Sequence, residues 1–277
     1  FLEKYIPKVV ESYTKTKNNL INPVKMELNY TVTVQPNAVP DGEIVRCWLP
    51  YPREGHNRQA DIKLISVNSN NYIIAENSNL QRTLYLEKVA EKDKPTVFNF
   101  EVSFAAAAEF HKIDENSLKG YDVNNDVYKN YTKESAFHIL FTEKIKKASA
   151  EIVGNEKNPY LIAKKIFTWI NNNIPWAGAR EYSTLYNIPE YCLANGHGDC
   201  GIKSLLFITL CRYNGVPAKW QSGWMLHPGQ VNLHDWAEAY FEGYGWVPVD
   251  QSFGITKSDD TDVNYFYLGG MDSYRLI

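Results

Sequence analysis

The sequence predicts an α+β protein in which an antiparallel β-sandwich-like domain precedes a domain of helices and strands. Three observations lead to this prediction. Short segments of alternating apolar and polar residues follow an N-terminal arm. A helix predicted at residues 201–213 is apolar on almost all sides, which is typical of a helix buried in a core. Two strand-like segments, at 234–240 and 245–250, follow that helix.

Residues 1–20 are predicted to form an N-terminal arm. Apolar residues recur along it, but Pro7 limits a helix because proline lacks the backbone N–H group. We therefore expect a short helix at most, packed on the body of the protein.

Residues 21–112 are predicted to form the β-sandwich-like domain. The stretch from Met26 to Val34 alternates apolar and polar residues, the clearest two-residue period in the chain. Short strands separated by turn-forming residues are typical of an antiparallel sandwich. The further predicted strands are 43–49, 62–67, 72–75, 81–86 and 97–104.

Residues 113–277 are predicted to form the second domain, with the boundary in a polar stretch at 109–130. A helix is expected from its cap, Thr132, to about Val153. Another is expected to open at Asn158 and Pro159, since proline fits the first helical turn. Residues 171–195 are predicted to be a long loop rich in aromatic side chains.

Cys200 is predicted to lie at the start of the apolar helix. Asp199 is a good helix cap, and the glycines before it break the chain. The unpaired N–H groups and the dipole of a helix N-terminus favour a thiolate, so we expect the pKa of Cys200 to be lowered. Cys200 is therefore a candidate nucleophile.

His234 and Asp250 are the candidate partners of Cys200. If the hairpin between the last two strands is centred on residue 242, His234 and Asp250 lie opposite each other on one sheet face. Two other carboxylates compete with Asp250. Side-chain alternation directs Asp235 to the other face, and the assumed register places Glu238 opposite Trp246. A cysteine, a histidine and an orienting acid together form an activated thiol site.

Four motifs in this order resemble the transglutaminase-like superfamily, whose core is related to the papain-like cysteine proteases. They are GHGDCG at 196–201, CRYNGVPAKW at 211–220, HDWAEAYF at 234–241 and GYGWVPVDQSF at 243–253. The fragment VRCWLPYP at 45–52 resembles the N-terminal β-domain of some bacterial members. One departure is Gln251, where many relatives have proline.

The resemblance implies a papain-like fold for the second domain, with Cys200 as nucleophile, His234 as base and Asp250 as the orienting acid. It implies a thiol-dependent peptidase or amidase that works through a thioester acyl-enzyme. An acyltransferase that passes the acyl group to an amine is the nearer alternative, and a non-catalytic binding or scaffold protein is the other. Three tryptophans are candidate substrate-binding residues, although a core position is the alternative for Trp236: Trp176, Trp224 and Trp236.

Composition limits the partners. The net charge of −3 gives no reason to expect nucleic acid, and no apolar run approaches the length that crosses a bilayer. We expect a protein or peptide substrate, no cofactor and no metal, because the spacing of His197, Cys192, Cys200 and His234 fits no common zinc pattern. Export to the periplasm or cell surface is expected, and the oligomeric state is left open.

Overall fold

The computed structural model describes residues 1–277 and has an α+β fold of helices and antiparallel strands. The helices are α1 (Leu2–Thr16), α2 (Asp126–Tyr131), α3 (Glu143–Ile152), α4 (Pro159–Asn173), α5 (Ile188–Asn195), α6 (Cys200–Tyr213) and α7 (Thr261–Asn264). The strands are β1 (Leu20–Val34), β2 (Ile44–Pro50), β3 (Gln59–Val67), β4 (Tyr72–Ile74), β5 (Thr83–Val89), β6 (Thr96–Phe110), β7 (Ala218–His227), β8 (Gln230–Phe241), β9 (Gly245–Val249), β10 (Gly270–Met271) and β11 (Arg275–Leu276). None of these helices combines the length and the apolar character that a membrane crossing requires.

The chain forms two compact units. One comprises residues 1–22 and 108–275, and the other comprises residues 23–107 and 276–277. In the sequence-based division the first 20 residues were a separate arm, whereas here they are grouped with the unit that contains Cys200.

The unit of residues 23–107 contains two antiparallel sheets that share one core. β1, β6 and β3 form one sheet, and β2, β5 and β4 form the other. Both sheets contribute fully buried side chains to the core between them, which explains the alternation along the predicted strands: Leu49, Leu84, Leu86, Phe98, Phe100 and Val102. The six predicted strands are confirmed, although β1 and β6 extend well beyond their predicted ends.

The expectation that Pro7 limits the N-terminal helix is wrong. α1 continues through Pro7 to Thr16. The side chains of Ile6, Val9 and Val10 on one face of α1 are buried. Burying three aliphatic side chains outweighs the one backbone hydrogen bond that proline cannot make.

Two further sequence-based assignments are corrected. The helix expected from Thr132 to Val153 is shorter: α3 begins at Glu143, after the capping side chain of Thr142, whereas Thr132 follows the end of α2. The loop expected at 171–195 contains a short turn of 3-10 helix at Tyr182–Thr184 and the helix α5. The Asn187 side chain caps α5 by accepting a hydrogen bond from the Glu190 N–H group. In each case a polar cap inside the segment marks a helix start that the apolar pattern alone did not reveal.

The buried helix α6 and the hairpin of β8 and β9 form the centre of the unit that contains Cys200. Every residue of α6 from Gly201 to Arg212 is buried, as its apolar sequence predicts. α6 packs against α4, α5 and β8. The sheet beside it has the strand order β11, β7, β8 and β9.

The predicted register of the β8–β9 hairpin is shifted by two residues. Phe241 lies opposite Gly245, so the turn comprises residues 242–244, and Glu238 lies opposite Pro248 rather than Trp246. β9 ends at Val249, so Asp250 follows the strand and is not directly opposite His234. Because side chains alternate with a period of two, a shift of two leaves each residue on its predicted face.

Candidate active site

Cys200 is the first residue of α6, and its position is fixed by the cap before it. The Asp199 carboxylate accepts hydrogen bonds from the Ile202 N–H group at 3.0 Å and from the Tyr182 hydroxyl at 2.6 Å. Tyr182 leaves no room beside the helix start, because a β-carbon at Gly201 would lie 2.1 Å from its hydroxyl oxygen. The glycine after the cysteine therefore allows this close packing.

The protonation of Cys200 differs from the expectation. Burial, followed by the nearby Asp235 carboxylate, raises the pKa of the Cys200 thiol to about 12. The expectation that the helix N-terminus lowers this pKa is wrong, because desolvation of the thiolate and adjacent negative charge outweigh the dipole. The sulfur is a neutral thiol near pH 7 and needs a base before it can attack.

His234 and Asp250 are joined by a hydrogen bond. The distance from His234 Nε2 to Asp250 Oδ2 is 2.7 Å, and both side chains are buried. Burial opposes ionisation of Asp250, but its interactions with the His234 ring and the Arg275 guanidinium outweigh burial and hold the Asp250 pKa below its usual value. An ionised carboxylate only accepts hydrogen bonds, so the proton of this pair lies on Nε2. Nδ1 of His234 is then left with its lone pair.

Asp250 is supported by a buried network that the sequence did not predict. Arg275 Nη1 lies 3.2 Å from Asp250 Oδ2, and Arg275 Nη2 lies 2.9 Å from Asp272 Oδ2. His227 Nε2 lies 3.0 Å from Asp272 Oδ1. Burial opposes ionisation of Asp272, but Arg275 and His227 hold its pKa well below the usual range. Arg275 is 1% exposed, and besides these carboxylates it lies over the ring of Phe253, 4.6 Å from the ring centroid.

Asp235 lies close to the sulfur. The Cys200 thiol donates a hydrogen bond to Asp235 Oδ2 at 3.8 Å. Burial, and then the charge of Asp199, raise the Asp235 pKa to about 7. Alternation along β8 predicts that Asp235 points away from the sheet face of His234. Alternation fixes the direction in which a side chain leaves a strand, but it does not reveal where a neighbouring helix begins.

Cys200 and His234 line one cavity, which has a volume of about 550 Å³. Cys200, His234 and Asp235 line it, together with Asp199 and Tyr182. Its remaining lining is apolar and uncharged polar: Trp176, Met225, Gln230, Asn232, Leu233, Ser252 and Phe253. A cavity of this size, with a few polar groups converging in it, is typical of a site for a small molecule or one segment of a polymer.

Comparison with known families matches the part of the chain that contains this site. Residues 146–251, less than half of the chain, match the sequence model of the transglutaminase-like superfamily. This part of the chain is therefore similar to the transglutaminase-like superfamily. The matched range contains all three predicted catalytic residues of the transglutaminase-like core, Cys200, His234 and Asp250. Comparison with curated protein sequences found no significant match.

The chain is also similar to several solved structures. A candidate cysteine protease from Cytophaga hutchinsonii matches with a TM-score of 0.62 and 20% sequence identity, covering 84% of this chain and 78% of the other. The periplasmic domain of TgpA from Pseudomonas aeruginosa matches with a TM-score of 0.43 and 14% identity, covering 82% and 70%. Red sea bream transglutaminase matches with a TM-score of 0.34 and 12% identity, covering 81% and 48%. At 20% identity, the likeness to the Cytophaga hutchinsonii structure shows the fold alone.

The three candidate tryptophans occupy different places in the unit that contains Cys200. Trp176 lines the cavity and is 60% exposed. Trp224 lies opposite Leu233 on β7, is half-buried, and is not part of the cavity lining. Trp236 is 1% exposed and stacks beside His234, with ring centroids 6.0 Å apart. The prediction that Trp236 contacts the substrate is not supported by this position, because a side chain enclosed in the core offers no surface to a ligand.

All four cysteines are free thiols, and two of them are buried. Cys192 is enclosed, and burial raises its pKa to about 12. No group of three or more His, Cys, Asp or Glu side chains is arranged to hold a metal ion.

Proposed function

We propose that this protein is a thiol-dependent amide-bond hydrolase, a peptidase or amidase, that uses Cys200, His234 and Asp250. The observation that carries the proposal is the bond from His234 Nε2 to the ionised Asp250, beside the cavity that His234 shares with Cys200. That bond fixes the tautomer in which Nδ1 is basic. His234 then provides the base that a neutral thiol requires.

In the first half of the reaction, His234 Nδ1 takes the proton of the Cys200 thiol while the sulfur attacks the carbonyl carbon of a bound amide. The imidazolium that forms is stabilised by Asp250. When the tetrahedral intermediate collapses, His234 returns the proton to the leaving nitrogen, so an amine departs and a thioester remains on Cys200.

The helix start offers a donor to the developing oxyanion. The first four N–H groups of a helix have no hydrogen-bond partner within the helix. In α6, the N–H group of Ile202 donates to the side chain of Asp199 instead. The N–H group of Cys200 lies in the same turn and supports the negative oxygen in this proposal. Trp176 is a candidate for a second donor, because it lines the same cavity.

In the second half, His234 removes a proton from water, and the hydroxide attacks the thioester carbonyl. Release of the carboxylic acid leaves the Cys200 thiolate, which takes back the proton from His234. The substrate in this proposal is a protein or peptide. An acyltransferase would deliver the acyl group to an amine instead of water and would use the same three residues.

Cleavage of peptides tests the proposal. A mixture of synthetic peptides is incubated with the wild-type protein in the presence of an added primary amine, and the products are identified by mass spectrometry. We expect hydrolysis products that disappear in Cys200→Ser and in His234→Ala. Amine adducts in place of acids identify the acyltransferase. Products that persist in Cys200→Ser contradict both.

We also propose that the protein acts outside the cytoplasm, in the periplasm or at the cell surface. Fractionation of bacterial cells that carry the full-length gene tests this part, with a known cytoplasmic protein as the control.

A further inference from the structure

The charges around the cleft are unevenly distributed. Two carboxylates, Asp199 and Asp235, line the cavity that contains Cys200, whereas no Lys or Arg residue lines it. His234 is the remaining titratable nitrogen group in the lining, and its Nε2 is engaged by Asp250. The field in this cleft therefore favours positive charge, because low-dielectric walls strengthen the effect of fixed charges.

The two carboxylates are not equally available to a ligand. Asp199 is occupied as the cap of α6, since its Oδ1 atom accepts from Ile202 and from Tyr182. The donor that the structure gives to the Asp235 carboxylate is the Cys200 thiol, at 3.8 Å. A thiol is a weak donor, so it satisfies an ionised carboxylate poorly. Asp235 is the acceptor in this cleft that a strong donor from a ligand would improve most.

Aromatic side chains adjoin the same space. Trp176 lines the cavity and is 60% exposed, and the ring of Tyr182 lies at the helix start beside Cys200. The face of an aromatic ring attracts ammonium and guanidinium groups. A carboxylate in one cavity with an exposed indole and a half-buried phenol ring is a combination that suits an organic cation.

We propose that Asp235 is a specificity-determining residue that selects substrates carrying an ammonium or guanidinium group next to the scissile amide bond. This inference rests on the proposed function, because it assumes that Cys200 is the nucleophile. The carboxylate lies within 3.8 Å of the sulfur, so the cation that it binds belongs to a residue adjoining the carbonyl under attack. Acidic side chains at that position are disfavoured.

Binding of the cation also changes the state of the thiol. When an ammonium group takes the Asp235 carboxylate, the thiol loses its acceptor there and can donate to Nδ1 of His234. The positive charge beside the sulfur favours the thiolate as well. A charged substrate therefore assists proton transfer from Cys200, and a neutral substrate of the same size does not.

The charge preference is testable without a known substrate. In a Cys47→Ser background, Cys200 is modified with two methanethiosulfonate reagents of similar size, one bearing a trimethylammonium group and the other a sulfonate. We expect the cationic reagent to react faster, and Asp235→Asn to reduce the ratio of the two rates by about tenfold, as expected for removal of one nearby charge. Asp259→Asn, an equal charge change at an exposed residue, is the matched control and leaves the ratio unchanged.

Peptide substrates identify the source of the charge. Pairs of peptides differ either in a Lys replaced by norleucine beside the scissile bond or in a free amino terminus replaced by an acetylated one. The proposal predicts that one member of a pair has a lower KM with wild-type protein, and that Asp235→Asn abolishes the difference. Asp235→Glu retains the preference.

The failures of the two proposals are distinguishable. An unchanged reagent ratio in Asp235→Asn, together with normal peptide cleavage, overturns the role of Asp235 and leaves the hydrolase intact. A changed ratio without any cleavage overturns the hydrolase and shows that the cleft selects cations.

Discussion

Two aspartates of the candidate site, Asp250 on its buried side and Asp235 on its open side, differ in protonation. Asp250 is fully buried, yet it is ionised, because His234 and Arg275 lie against it. Asp235 is only partly buried, but burial and the charge of Asp199 raise its pKa to about 7. The more deeply buried acid is therefore the stronger one.

The difference shows that partners, rather than depth, decide the charge of an acid in a protein. Burial disfavours the ionised form of both carboxylates, and only Asp250 has partners, the Arg275 guanidinium and the His234 ring, that reverse the effect. The paired carboxylate holds an imidazole in one tautomer, and the unpaired one lies beside a thiol. Two aspartates near one cysteine can thus have separate tasks.

The largest effect is expected on the buried side. Asp250→Asn removes the carboxylate that fixes His234 and favours the tautomer with the proton on Nδ1, which cannot accept the thiol proton. The acylation rate of Cys200 by p-nitrophenyl acetate should fall by about 10³–10⁴-fold. Stopped-flow release of p-nitrophenolate measures the rate, with Asp259→Asn as the matched control. A fall of less than tenfold contradicts the role of Asp250.

Arg275→Met tests the cation of the buried side. It leaves Asp250 and Asp272 without their shared guanidinium, and removal of one partner of a buried ion pair costs about 3–5 kcal/mol of unfolding free energy. Urea denaturation at pH 7 measures the loss. Arg275→Lys should recover part of it.

Arg275 is a positioning residue, so stability alone does not test its effect on catalysis. In Arg275→Lys, which retains a charge, we expect the acid limb of the acylation rate to move to higher pH, because the pKa of Asp250 is held down less. An unchanged acid limb would show that Arg275 has only a structural role.

Acid should destabilise the buried side first. The pKa values of Asp250 and Asp272 are lowered in the folded protein, so their contribution is complete above the unfolded pKa near 4 and is lost as the pH falls below it. Urea denaturation between about pH 5 and pH 2 should show this loss. The free energy of unfolding should depend less steeply on pH in Arg275→Met, because the pKa values of Asp250 and Asp272 in the folded variant lie closer to those in the unfolded chain. A steeper slope in the variant contradicts the account.

The smallest effect is expected from Asp235 on the open side of the site. Its contribution to stability depends on pH in the opposite direction to that of Asp250 and Asp272. The Asp235 pKa is raised to about 7, so the folded protein binds more protons than the unfolded chain between the unfolded pKa and about 7, and stability falls as the pH rises through that window. The groups that face Asp235 are Asp199, Tyr182 and Cys200, with Asp250 farther away. In Asp235→Asn, the free energy of unfolding should decrease less between about pH 5 and pH 8 than it does in the wild type. A variant with the same slope as the wild type contradicts the assignment.

The same variant should change the thiol. Removing the negative charge of Asp235 lowers the pKa of Cys200, since that charge is the second cause of its elevation after burial. Reaction with iodoacetamide across pH measures the shift, again in the Cys47→Ser background. Asp235→Glu retains the charge and should resemble the wild type.

The sequence predicted those parts of the molecule that depend on local pattern. The alternation of apolar and polar residues predicted strands β1 to β6, and the continuous apolar run predicted helix α6. The predicted register of the β8–β9 hairpin was wrong. Gly243 and Gly245 both adopt positive φ, of 90° and 81°, so the sequence offers two glycines that could close the turn. Because the register shifted by an even number of residues, each side chain stayed on its predicted face of the sheet.

The parts that were missed depend on residues distant in the chain. Nothing near Arg275 indicates that its guanidinium lies between two buried carboxylates, since one of them is in another segment. Asp235 was set aside because its distance from the start of α6 is a property of the packed structure. The pKa of Cys200 could not be predicted from the helix cap, because burial and Asp235 dominate it.

Acylation of Cys200 tests the central claim most directly. The wild-type protein, Cys200→Ser and His234→Ala are each mixed with p-nitrophenyl acetate, quenched in acid and digested, and the acetylated residue is located by mass spectrometry. The account predicts one acetyl group on Cys200 in the wild type, formed much more slowly in His234→Ala and absent from Cys200→Ser. Acetylation of Cys47 at the same rate as Cys200, or a rate at Cys200 that does not depend on His234, would contradict it.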